Sequence, residues 1–157
     1  IDETPVNQTS FATRFNIDIN SLSMGEGERF RFMQVKWGAE RPFFIVLDYS
    51  SGVYTIQLNT LLDDLTKVKT GWYVLTDAPH TIEVDWQAAS GDGANDGFAQ
   101  LYIDDILQQE LTGLDNDTMV IENFKIGFTS RLEGKSISGI FYVDDVATSN
   151  AGYIGLP

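Results

Sequence analysis

The sequence predicts an all-β protein, a two-sheet antiparallel jelly-roll sandwich. Three observations predict it. Apolar and polar residues alternate in run after run, the period of a half-buried strand. Short clusters rich in Gly, Asn, Asp and Ser separate the runs. No long stripe at helical spacing lies between them, so neighbouring strands connect through turns rather than crossover helices.

The elements follow in chain order. In FATRFNIDI, Phe11, Thr13, Phe15, Ile17 and Ile19 share one face, and Ala12, Arg14, Asn16 and Asp18 the other. RFRFMQVKW breaks phase between Phe32 and Met33, which predicts a bulge. Phe43 to Tyr49 is apolar on both faces, as a central covered strand requires. Tyr54, Ile56 and Leu58 align, and Leu61 to Val68 reads as a strand extension with a loop. In TIEVDW, Ile82, Val84 and Trp86 point inward and Glu83 and Asp85 outward. Phe98 to Leu111 reads as a hairpin turning at Asp104-Asp105. Phe124, Ile126 and Phe128 align, and SGIFYVDDV closes the series, with Tyr142 and Asp144 on the face of Ile140 and Val146. The predicted core is Phe15, Ile17, Ile45, Leu47, Ile82, Val84, Trp86, Leu101, Ile103, Ile126 and Phe128.

With 157 residues, residues 1–157 make a single domain, and 43% hydrophobic content is enough to fill its core. The net charge of −13 makes nucleic acid and anionic membrane surfaces poor partners. The absence of cysteine excludes disulfides and thiolate chemistry. No apolar run approaches the ~18 residues of a membrane span.

The order APHTIEVDW, GANDG, LYIDD, LTGLDNDT, IENFKIG, SGIFYVDDVATS, YIG resembles the bacterial laminin-G-like branch of the concanavalin A-like lectin/glucanase superfamily, over about Phe11 to Gly155. The resemblance implies a concanavalin A-like sandwich and an extracellular or bacterial cell-surface location. The hairpin departs from the family's usual Asp-Gly by carrying Asp104-Asp105, which implies a different turn type. The family's leading strand is not evident before Phe11. Its absence would leave an edge open to strand addition by another chain.

The strand Glu83-Val84-Asp85-Trp86-Gln87 nearly matches the Glu-x-Asp-x-Glu strand of laminarinase-type hydrolases, whose outer glutamates act as nucleophile and acid/base. Glu83, Asp85 and Gln87 share a face, but Gln87, followed by Ala88, cannot exchange the catalytic proton. The single histidine, His80, fits a structural hydrogen bond at a turn better than a general base. The expectation is therefore no catalytic residues and no enzyme.

Metal binding has two candidates, and calcium is the ion that hard oxygen ligands on flexible loops would take. Asp144 ranks first, as an acid on an apolar face that needs neutralising, with a structural Ca²⁺ as the one cofactor considered. Asp92, Asn95 and Asp96 in the glycine-rich loop rank second, where a plain hairpin loop is the competing reading. Trp37, Trp72, Tyr73 and Tyr102 are the aromatics least clearly directed inward and so the candidate ligand-binding residues. The expected function is a non-catalytic extracellular module of a larger surface or secreted protein, binding glycan, protein or neighbouring domains. The alternatives are a purely structural module (a stalk, sheath or filament subunit) and, against Gln87, a glycan hydrolase or lyase. Convergence of the four aromatics on one groove favours binding; scattered rings favour a structural role.

Overall fold

The computed structural model describes residues 2–3, 5–130 and 134–155. Twelve strands run β1 (Asp2–Glu3), β2 (Ser10–Asp18), β3 (Glu28–Lys36), β4 (Phe43–Ser50), β5 (Val53–Leu61), β6 (Lys67–Lys69), β7 (Tyr73–Leu75), β8 (His80–Gln87), β9 (Gly97–Ile103), β10 (Ile106–Leu114), β11 (Asn123–Ile126) and β12 (Tyr142–Ser149). No helix occurs among the described residues. A seven-stranded sheet has the order β1-β11-β3-β4-β5-β6, with β7 also pairing β5; a five-stranded sheet has the order β10-β9-β8-β2-β12. Every pairing is antiparallel.

The inner faces meet where the alternation places them. Phe15, Phe32, Phe43, Trp86 and Phe124 are fully buried, along with Ile17, Ile45, Leu47, Ile56, Leu58 and Ile82. Phe15 meets Phe32 edge-on at 5.8 Å, and Phe43 lies 6.0 Å from Trp86, so aromatic pairs lock one sheet to the other. The bulge in β3 falls between Arg31 and Met33, and Leu61 ends its strand before a short loop to β6.

Four expectations need correction. Phe128 is 47% exposed: β11 ends at Ile126, and the Phe128 ring lies at the margin of the core, against Phe30 at 4.8 Å and Phe141 at 5.0 Å. A leading strand does precede Phe11: the two-residue β1 pairs with Phe124 and Lys125 of β11 and is itself the end strand of the sheet. The hairpin turn keeps positive φ at both central residues, 53° at Asp104 and 61° at Asp105, the conformation that Asp-Gly would also supply. Asp144 is exposed. A register shift between Asp144 and Ala147, with Asp145 at φ 50°, re-phases β12, so Val143 and Val146 turn toward the core while Tyr142 and Asp144 face out.

Candidate functional site

The outer face of the seven-stranded sheet carries a groove of about 680 Å³. Its floor follows from register. Phe43, Ile45 and Leu47 of β4 fill the core, so Phe44, Val46 and Asp48 face outward. Phe44 stands between Gln34 of β3 and Asn59 of β5, and Val46 beside Arg31. Arg29, Arg41, Lys67, Thr129, Ser130 and Lys135 complete the walls. Among the described residues, five basic side chains line this one groove. A protein of net charge −13 thus presents a local positive field.

The cations are positioned. Arg29 pairs with Asp48 at 3.0 Å and lies over Trp72, 5.5 Å from the ring centre. Arg31 lies over Phe44 at 5.7 Å. Arg41 donates from Nε to Gln34 Oε1 at 3.1 Å. The Arg31 main chain is fixed from the loop after β11: its N–H donates to Ser130 Oγ, and Thr129 Oγ1 donates to its carbonyl. Its Nε is buried and finds no hydrogen-bond partner among the described residues. Burial and, second, the neighbouring Arg41 push the Arg31 guanidinium below its ordinary pKa. Two like charges held close, one with a free donor, form a setting that an anionic group would relieve.

The strand that resembled a hydrolase strand has a different use. Glu83 and Asp85 lie on the outer face of the five-stranded sheet at 1% and 6% exposure. The C-terminal segment covers them. Ile154 and Gly155 donate their N–H groups to Glu83, the second at 3.1 Å, and Tyr153 donates to Asp85 at 3.0 Å. Burial raises both carboxyl pKa values, partly offset by these donors. Gln87 is exposed at the end of β8. The face is closed.

His80 is clamped. Nε2 accepts the Thr76 N–H at 3.1 Å, so Nδ1 carries the proton and donates to Asp104 Oδ2 at 2.8 Å. Asp104 also accepts the Thr81 N–H, which accounts for an acid in the hairpin turn.

The four aromatics do not converge. Trp37 packs against the core beside its bridge to Glu40, and Tyr73 packs there too, donating its hydroxyl to Gln108 and Gln109. Tyr102 lies on the outer face of the five-stranded sheet, stacked on Tyr153 at 4.5 Å. Trp72 alone of the four adjoins the cationic groove. In the glycine-rich loop, Asp96 accepts the Ser90 N–H and Asn95 adopts φ 50°, as an ordinary loop requires. The fold gathers another acidic group, Asp63, Asp115 and Asp117, whose carboxylate oxygens lie within 4.8 Å of one another. The two segments that form it, LLDD and LDND, met only through the fold, so the sequence carried no signal for it.

No protein-family model matches the sequence, and no curated protein matches it. Solved structures do. A heptameric SAP-like pentraxin from Limulus polyphemus superposes with TM-score 0.61 at 10% identity, over 97% of this chain and 69% of that one. Alginate lyase Aly36B gives TM-score 0.62 at 13% identity, over 94% and 72%. An alginate lyase from Pseudomonas aeruginosa gives 0.59 at 12% identity, over 92% and 68%. These likenesses define the class by fold: the chain is a concanavalin A-like jelly-roll sandwich.

The comparisons correct the expectation of a non-catalytic module that is not an enzyme. That expectation rested on Gln87 breaking one hydrolase pattern. Several of the similar structures are alginate lyases, so loss of that pattern leaves glycan cleavage by elimination untouched, and the alternative of a glycan lyase is the better supported.

Proposed function

We propose that the chain is a glycan lyase acting on an acidic polysaccharide held in the groove on the outer face of the seven-stranded sheet. The observation that carries this reading is the concentration of Arg29, Arg31, Arg41, Lys67 and Lys135 in one groove of an acidic protein. The alginate lyases among the similar structures support it, one of them solved with an alginate tetrasaccharide.

Elimination on a uronate needs three things. The carboxylate must be neutralised so that the proton on the adjacent ring carbon becomes acidic. A base must take that proton. The leaving glycosidic oxygen must regain one as the ring double bond forms and the C–O bond breaks. Arg31 and Arg41 are the groups placed to neutralise the carboxylate, with the amides of Gln34 and Asn59 beside them. Of the two lysines in the groove, Lys67 and Lys135, one as the ammonium can give the leaving oxygen its proton, and the other can serve as the base only as the neutral amine. Arg29 over Trp72 marks the groove's flank, where a further sugar would meet a cation and a ring. An extracellular location fits a polymeric glycan substrate, and the laminin-G-like order of motifs is compatible with that reading.

The test is incubation with alginate, followed by ultraviolet absorbance of the unsaturated uronide. Absorbance should rise with wild type and stay flat with Arg31→Ala. No product from alginate, alongside product from neutral laminarin, would overturn the reading.

A further inference from the structure

After β12 leaves the edge of the five-stranded sheet, the chain turns back over that sheet. Asn150 donates to Gln8, Gly152 passes over Asp85, and Tyr153 stacks on Tyr102 of β9. Gly152 at φ 89° and Gly155 at φ 70° give the path its two left-handed bends. A side chain at residue 152 would begin 3.5 Å from Asp85 Oδ2, so the crossing is close.

We propose that residues 152–155 are a proton-linked strap, docked across the Glu83–Asp85 strip at acidic pH and released as the pH rises. The geometry carries it. Three consecutive N–H groups of the strap are satisfied by two carboxylates alone. Those carboxylates point to the same face, two residues apart, and docking removes both from water. Asp85 Oδ1 is buried and finds no hydrogen-bond partner among the described residues. Among the described residues, the charged and titratable groups facing the strap come from five elements. They are Arg14 on β2, Glu83 and Asp85 on β8, Tyr102 on β9 with Glu110 of β10 beyond it, and Asp105 in the hairpin turn beside Tyr153. Among the described residues, one cation faces four carboxylates, and Arg14 Nε finds no hydrogen-bond partner. Burial raises Tyr102 and Tyr153, so both stay neutral through the range in which the carboxyls change.

Docking holds Glu83 and Asp85 above their ordinary pKa values, chiefly by burial. Released, both are solvated and ionise more readily. The docked state therefore binds more protons, and rising pH favours release. What release uncovers is an acidic strip with an aromatic ring, on the face opposite the cationic groove.

Hydrogen exchange of the full chain tests this. Protection of the Tyr153, Ile154 and Gly155 amides, corrected for intrinsic rates, should fall by roughly tenfold or more between about pH 4.5 and 7.5. In the Glu83→Gln, Asp85→Asn double variant, whose amide oxygens still accept the N–H bonds, that fall should vanish. Protection that is constant or rises with pH overturns the proposal, as does an identical fall in the double variant. If the double variant does not fold, Asp85→Asn alone should reduce the fall, and an undiminished fall in that variant overturns the proposal equally.

Discussion

The two outer faces of this sandwich share a fold and a hydrophobic core, yet their charges are handled in opposite ways. On the seven-stranded sheet, arginines stand over aromatic rings beside an open groove, and the Arg31 Nε is left with a free donor. On the five-stranded sheet, two acids are sealed under the chain's own C-terminal segment. The comparison teaches that acidic residues in a row on a strand are not a cleft until something shows them open. A groove open to solvent that gathers five cations is the better pointer to a ligand.

The largest expected effect breaks the open face. Arg31→Ala should lower turnover of alginate by about 100-fold or more, the scale of removing one donor aimed at developing charge, with the melting temperature little changed. Steady-state rates and a thermal melt on the same preparation check both halves. Next comes the closed face. At about pH 4.5, where the strap is docked, Glu83→Ala leaves two strap N–H groups without acceptors and should destabilise the fold by about 3 kcal/mol in urea unfolding. Alginate turnover should be retained wherever the variant is folded.

A smaller effect separates the faces by pH. The folded chain holds the Glu83 and Asp85 protons to a higher pH than the unfolded chain does. It therefore binds more protons where the two states differ, and these groups subtract stability as pH rises through their folded values. Asp64 and Asp96 shift the other way, through backbone hydrogen bonds, but both are on the surface. The stability of the Glu83→Gln, Asp85→Asn variant relative to wild type should accordingly be greater at pH 7 than at pH 4, measured by urea midpoints at both. The smallest effect concerns the closing strand. Asp144 is exposed, so Asp144→Asn should change stability by no more than about 0.5 kcal/mol, with or without added Ca²⁺. A calcium-dependent melting shift lost in that variant would instead support a metal site at Asp144.

Much of the sandwich was legible because side-chain alternation reports directly on which face is buried. Phe15, Ile45, Val84 and Leu101 are inside because period two leaves them nowhere else. Legibility failed where single residues re-phase a strand. Gly127 follows the end of β11 and leaves Phe128 at the margin of the core, and Asp145 turns Asp144 outward, and neither φ value is encoded in a hydrophobic pattern. The groove was half legible. Arg29 and Arg31 alternate with the inward Phe30 and Phe32, so their outward face could have been read from the sequence alone. That Arg41, Lys67 and Lys135 join them depends on loops whose course no local pattern sets. The strap was beyond reach for the same reason: its ligands are backbone N–H groups, which every residue but proline carries.

The most direct test is a titration of the isotopically labelled chain with alginate tetrasaccharide, following the backbone amides of both sheets. Shifts should concentrate at Arg29, Arg31, Gln34, Phe44 and Asn59, with residues 80–87 of β8 unmoved. Shifts centred on Glu83 and Asp85 instead, or none on β3, β4 and β5, would contradict the account.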